Sequence, residues 1–304
     1  VTKTVTNFAA SVHARLLAVN HRQKADFHLT LQRYVAERFL YRLGLSSYRD
    51  RFVLKGAMLF VLWEDAAARS TKDLDLAGYV ANDADVIERA FREIASIPSP
   101  QDGLDFALDT LEITPIRDAA EYHGFRMNLD VLLGRARVPF QVDVGFGDVI
   151  VPAPSDVIYP VLLDGEAPHV RAYPREAVVA EKLHAMAHHG GANSRYKDFF
   201  DVDRLSTRFA FDGVSLSESI AATFSRRGSA SLETWPVALT TGFYADEGRS
   251  DQWRRFLIRM KLNEISTDFT TIGSRVISFL ESPVRAVSKS EPFAARWPAG
   301  GPWQ

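Results

Sequence analysis

Two aspartates separated by one apolar residue, Asp73 and Asp75, lie in the run Arg69-Ser70-Thr71-Lys72-Asp73-Leu74-Asp75-Leu76. The run ends Leu-Asp-Leu and reads as a strand. Side chains alternate along a strand, so both carboxylates project from one face. Held that close, they repel unless a cation sits between them. A hard divalent cation that takes carboxylate oxygens, such as magnesium, answers that need.

Other residues gather around this pair in the reading. Phe52-Val53-Leu54 is a short β-prone run cut by Lys55-Gly56, with a helical stretch at 57–63. A strand, a glycine turn and a helix can aim backbone N–H groups at a phosphate; an ordinary tight turn is the competing account. Asp143 sits inside Phe140-Gln141-Val142-Asp143-Val144, where an ionised carboxylate is costly unless paired. Such an aspartate is commonly an ion-pair partner, but beside an Asp-x-Asp pair it is expected to be a ligand. Asp148, which follows Gly145-Phe146-Gly147, reads as a turn residue. On a helix expected at 175–189, Val178, Lys182 and Met186 recur every four residues and place Lys182 on the apolar stripe. An inward lysine either neutralises an anion or snorkels to the surface. Asp198 and Asp201 share a helix face, in a first turn where the helix dipole also favours acids. His184 and His188 have a spacing compatible with zinc, but no Glu follows His184 as an H-E-x-x-H site requires.

The elements that must position these groups read as follows. Helices are expected at 7–20 and 24–43, with Gly44 as a stop, and at 83–97. Strands are expected at 105–113, 125–133 and 138–144, with a turn at Gly134-Arg135. The proline-containing segment 152–174 reads as a linker, and helical patterns dominate beyond it, at 216–226, 250–261 and 271–281. The fold class is therefore α+β, with residues 1–160 as a core, 161–285 as a mostly helical C-terminal domain and 286–304 as a loosely ordered tail. The 304 residues carry 36 basic and 38 acidic side chains, so no global basic field advertises nucleic acid. Local contacts would fall to clusters such as Arg226-Arg227, or Arg254, Arg255, Arg259 and Lys261, which equally suit a solvated surface. The chain has no cysteine, which excludes disulfides, thiolate zinc sites and thiol nucleophiles. It also has no apolar run long enough to span a bilayer, and a cytoplasmic protein is the expectation.

Six spaced motifs occur in one order: Lys55-Gly56-Ala57, Arg69-x-Thr71-x-Asp73-Leu74-Asp75, Val142-Asp143-Val144-Gly145-Phe146-Gly147-Asp148, Tyr173-Pro174-Arg175-Glu176, Glu181-Lys182-Leu183 and Arg195-x-Lys197-Asp198-Phe199-Phe200-Asp201. Together they resemble the AbiEii family of nucleotidyltransferase toxins, including the mycobacterial MenT group, over roughly residues 50 to 205. The resemblance implies a polymerase-β-like nucleotidyltransferase core with a mixed sheet, followed by a mostly helical domain. It also implies transfer of nucleotides from an NTP to RNA, with the tRNA 3′ acceptor end as a substrate class, and a cognate AbiEi-type antitoxin. By this likeness Asp73, Asp75 and Asp143 hold Mg2+ or Mn2+, while Lys182 and Asp198 match catalytic positions of the second half. Lys55, the Gly56-Ala57 backbone, Arg69, Thr71 and Lys182 are the expected contacts to the triphosphate. The turn departs from the family pattern at Ala57, which lacks a serine-type side-chain hydrogen bond but keeps its backbone N–H. A small-molecule nucleotidyltransferase and a catalytically silent RNA- or protein-binding module remain as alternatives.

Overall fold

Leu74 and Leu76 are wholly buried while Asp73 and Asp75 are half-buried, and this alternation sets the two faces of a seven-stranded sheet. The structure is a computed structural model that describes residues 7–23, 26–64, 71, 73–117, 123–228 and 230–304. It divides into two units, one formed by Val1–Gly147 with Ser155–Ala172, the other by Asp148–Pro154 with Tyr173–Gln304.

The first unit opens with α1 (Phe8–Gln23) and α2 (Phe27–Leu45), followed by β1 (Phe52–Lys55). A 3-10 turn then leads into α3 (Leu59–Glu64), β2 (Asp73–Gly78) and α4 (Ala84–Ala95). Three long strands follow: β3 (Leu104–Arg117), β4 (His123–Leu133) and β5 (Ala136–Phe146). Two short strands, β6 (Ser155–Ile158) and β7 (His169–Ala172), complete the set. The order across the sheet is β3-β4-β5-β2-β1-β7-β6. β2 runs parallel to β5, β1 runs parallel to β7, and the remaining pairs are antiparallel, so the sheet is mixed and the class is α+β, as expected.

One sheet face carries the core. Leu74, Leu76, Val142, Val144 and Val131 are fully buried there, with Phe39 of α2 stacked on Phe91 of α4 at 5.4 Å and tilted against Phe140 at 5.3 Å. Asp83 caps α4 by accepting hydrogen bonds from the backbone of Asp85 and Val86, and Ile87, Ala90, Phe91 and Ile94 form the buried stripe. Gly44 does not end its helix. It lies inside α2, where a Cβ would meet the His169 carbonyl oxygen at 2.5 Å, so the missing side chain allows helix and strand to approach.

The stretch expected as a linker at 152–174 holds β6 and β7, which extend the sheet beyond β1. While Asp148–Pro154 belongs to the second unit, the first consequently runs on to Ala172, past the boundary expected at 160/161. Beyond it come α5 (Arg175–His189), α6 (Tyr196–Arg208), β8 (Phe211–Asp212) and α7 (Gly213–Arg227). α8 (Thr241–Ala245), α9 (Glu247–Met260), α10 (Phe269–Lys289) and β9 (Arg296–Trp297) complete the second unit. Its core is aromatic: Phe269 packs on Trp253 at 5.3 Å and on Tyr244 at 4.8 Å.

The C-terminal residues are not a loose tail. α10 continues through Pro283, whose ring nitrogen cannot donate to the Phe279 carbonyl one turn earlier. The Trp303 indole N–H donates to that carbonyl at 2.8 Å, and its ring stacks on Phe279 at 5.9 Å. β9 pairs with β8 and buries Trp297. Among the described residues no helix is long and apolar enough to cross a membrane.

Candidate active site

On the second face of the sheet, strand register aligns charged residues into a row. Lys55 on β1 is paired with Asp75 on β2, Asp75 with Asp143 on β5, and Asp143 with Arg126 on β4. Residues directly opposite across a ladder share a face, so the four side chains form a cation, two carboxylates and a second cation in sequence. Asp73 lies on the same face two residues before Asp75, opposite Gln141. The Asp-x-Asp pair is therefore placed on one face, as the strand period required.

Gly56 closes in on this row from the end of β1. It has φ +72°, and a Cβ built on it would lie 2.0 Å from Asp75 Oδ2 and 2.7 Å from Asp75 Cγ. The backbone thus forms a cradle for the Asp75 carboxylate that a side chain would fill. Ala57 and Met58 follow within the 3-10 turn and are buried, so only the backbone of this turn can meet a ligand. Thr71 is half-buried and its hydroxyl contacts the Asp73 carbonyl oxygen at 3.4 Å. Arg69 lies outside the described residues.

Asp143 is held by a guanidinium. Arg126 donates from Nε to Oδ1 at 2.9 Å and from Nη2 to Oδ2 at 2.7 Å, and Gln141 Nε2 donates to Oδ1 at 3.1 Å. The hydrogen bond to Asp143, against some loss of hydration, pushes the Arg126 pKa above its ordinary value, and the charges of Asp143, Asp73 and Asp75 add to this. The Asp75 carboxylate at the Gly56 cradle, with those of Asp73 and Asp143 on the same sheet face, offers the oxygen donors that a hard divalent cation takes. Among the described residues, however, no three acidic, His or Cys side chains are gathered as a ready-made metal site.

Lys182 and Asp198 belong to the second unit. The Lys182 ammonium, on α5, reaches Asp198 Oδ1 at 3.0 Å and Asp201 Oδ2 at 2.6 Å, both on α6. Arg195 Nε donates to the other Asp198 oxygen at 2.7 Å. Burial by itself would raise the Asp198 carboxyl, but Lys182 and Arg195 outweigh it and hold the pKa down at about 2. Lys182 thus points inward as its place on the apolar stripe required. Asp201, which on the sequence alone the helix dipole could account for, is a fully buried partner of that lysine.

Two readings are corrected in the same unit. Asp148 is an anchor and not a simple turn residue: it accepts from the Tyr173 hydroxyl at 2.8 Å and from Arg227 Nη2 at 3.2 Å, and Arg227 also reaches Glu181 at 3.0 Å. Arg227 is therefore part of a largely buried ionic cluster instead of a basic surface patch. His184 and His188 stack at 6.2 Å. A cavity of about 340 Å³ in this unit is lined by residues including Arg204, Arg208 and Arg275, and contains none of the candidate residues.

Sequence reasoning missed Arg126 and its companion Gln141, and it singled out Asp201 without finding its partner Lys182. The signal for Arg126 was present in β4, where Met127, Leu129 and Val131 alternate with Arg126, Asn128 and Asp130, and in the turn at Gly134-Arg135, which pairs Leu133 with Ala136 and so sets Arg126 opposite Asp143.

A family model described as the nucleotidyl transferase AbiEii toxin of a type IV toxin–antitoxin system matches residues 38–275. The chain belongs to this family. The AbiEii match takes in the Asp73–Asp75 pair, Asp143, and the Lys182–Asp198 pair of the second unit. Two solved structures are similar at a distance. One is a candidate nucleotidyltransferase from H. pylori, 15% identical with a TM-score of 0.42, over 84% of this chain and 94% of that one. The other is JHP933 from Helicobacter pylori, 14% identical with a TM-score of 0.45, over 88% of this chain and 95% of that one. No curated protein matches the chain.

Proposed function

We propose that this AbiEii toxin transfers nucleotides from an NTP to RNA, with the tRNA 3′ acceptor end as its substrate class, releasing pyrophosphate and blocking translation. The observation that carries the reading is the Asp73–Asp75 pair on the polar sheet face, with Asp75 packed over Gly56 and in register with Asp143. Asp73 and Asp75 hold Mg2+ or Mn2+, and Asp143 adds an oxygen from the neighbouring strand. The bound metal supplies activation of the acceptor 3′-hydroxyl and stabilisation of the leaving oxygens. Lys55, the backbone N–H groups of Gly56 and Ala57, Arg69 and the Thr71 hydroxyl receive the triphosphate. Lys182 serves as a phosphate-binding cation, with Asp198 and Asp201 fixing its position. The protein acts in the cytoplasm, and an AbiEi-type antitoxin is its cognate partner.

The test supplies each α-labelled NTP with magnesium to the purified chain, together with total tRNA or a panel of small hydroxyl compounds. Label in tRNA is expected. Label confined to a small molecule would move the reading to a small-molecule nucleotidyltransferase. No transfer and no magnesium-dependent NTP binding would leave a silent binding module.

A further inference from the structure

Arg126 raises a question that the proposed reaction does not answer. Three carboxylates share one face of β2 and β5, and one of them, Asp143, is held by the side chain of Arg126, whose charge is felt by Asp73 and Asp75 as well. Its fork is complete, with one N–H on each oxygen of Asp143 at 2.9 and 2.7 Å. A carboxylate offers about four lone-pair sites, two on each oxygen. Oδ1 takes both Arg126 Nε and Gln141 Nε2, and Oδ2 takes Arg126 Nη2. One lone pair, on Oδ2, is left by these three bonds. Arg126 thus fixes the plane of the Asp143 carboxylate and lowers the negative charge the row presents, while Gln141 fills Oδ1 and leaves Oδ2 as the oxygen that can reach a metal.

We propose that Arg126 is a positioning residue that acts as a resident counter-cation of the Asp73–Asp75–Asp143 row, fixing Asp143, together with Gln141, as a one-oxygen ligand and competing with the divalent cation for it. The proposal rests on the metal-dependent transfer reading and extends it to a residue with no assigned part in it. The planar guanidinium suits this role better than an ammonium, because only a fork can hold both oxygens of one carboxylate in a fixed plane. Its position is set by strand pairing, since Arg126 is the β4 partner of Asp143 in the ladder. The side chain of Arg126 is 42% exposed and that of Asp143 20%, so water and substrate can reach the pair.

Two effects of Arg126 can be separated by substitution. Arg126→Gln removes the charge and the complete fork. A unit charge a few ångströms from a divalent ion changes its affinity by roughly tenfold even at the dielectric of water. Arg126→Gln is therefore expected to bind Mn2+ roughly tenfold more tightly than the wild type by calorimetry. Its melting temperature without metal is expected to fall, and Mn2+ is expected to raise it by more than in the wild type. Arg126→Lys keeps the charge and loses the fork. It is expected to hold Mn2+ affinity within about twofold of wild type while nucleotide incorporation falls.

Unchanged or weaker Mn2+ binding by Arg126→Gln would overturn the proposal. If that variant does not fold, Arg126→Lys decides: wild-type incorporation, or a shift in Mn2+ affinity of tenfold, would also overturn it. The Asp75→Asn variant separates this from the parent reading. Equal Mn2+ affinity in wild type and Asp75→Asn would remove the metal site itself, and the proposal with it.

Discussion

Gly56 lies so close to Asp75 that a Cβ on the glycine would sit 2.0 Å from the carboxylate oxygen. The pair links a turn at the end of β1 to the Asp-x-Asp strand, and neither residue can change alone. In Gly56→Ala the methyl group must displace the Asp75 side chain, and a φ of +72° adds backbone strain of about 1 kcal/mol. A displacement on this scale is expected to lower nucleotide incorporation by about 100-fold with only a modest fall in melting temperature. Incorporation at the wild-type rate would show that the cradle has no part in positioning Asp75.

Loss of the Lys182 ammonium leaves two buried carboxylates, Asp198 and Asp201, with Arg195 as the remaining cation bridged to Asp198. Removing one partner from such a buried set costs about 3–5 kcal/mol. Lys182→Ala is therefore expected to destabilise the second unit as well as to abolish activity. The double variant Lys182→Met with Asp201→Asn should recover part of the lost stability in urea unfolding. Simple additivity of the two substitutions would contradict the coupling.

The two units should respond to pH in opposite senses. Burial, then the charge of Arg227, pushes the His184 pKa down from 6.5 to about 4. Between those values the unfolded chain binds a proton that the folded chain does not, so stability present above pH 6.5 is lost as pH falls toward 4. Glu37 behaves in reverse. Burial, opposed by Arg38, raises its pKa from 4.5 to about 7. There the folded chain keeps a proton, so stability present below pH 4.5 is lost as pH rises through 7. Hydrogen exchange, corrected for intrinsic rate, should show α5 and α7 better protected at pH 7 than at pH 5, and α2 less protected. A change of the same sign in both units would contradict these assignments.

The Trp303 indole replaces a hydrogen bond that Pro283 removes from α10, through the carbonyl of Phe279. Trp303→Phe keeps an aromatic ring against Phe279 and leaves that carbonyl without the indole donor, at an expected cost of about 1–2 kcal/mol. Adding Pro283→Ala restores a backbone N–H and should shrink the loss. Thermal unfolding of the single and double variants measures the coupling, and equal losses in both backgrounds would argue against it.

Elements governed by local periodicity were legible in the sequence. The four-residue stripe of Val178, Lys182 and Met186 belongs to a helix observed at Arg175–His189, and the alternation around Asp73 and Asp75 places both on one face. What escaped depends on partners distant in the chain. β6 and β7 are four residues each and lie among prolines, so only the pairing of β7 along β1 and of β6 along β7 makes them strands. α10 passes through Pro283 because Trp303 and the aromatic core hold it. Arg126 reaches Asp143 through the β4–β5 register set by the two-residue turn at Gly134-Arg135; both strands and the turn were legible, and the pairing they imply was not drawn from them.

Transfer at the Asp73–Asp75 pair is tested most directly by measuring labelled-NTP incorporation into RNA for Asp73→Asn and Asp75→Asn beside their melting temperatures. Both side chains are half-buried on the polar sheet face, so the fold should tolerate an isosteric amide. Incorporation should fall to background in both variants while melting stays within a few degrees of wild type, on the order of a 1 kcal/mol change. Full incorporation by either folded variant would contradict the assignment.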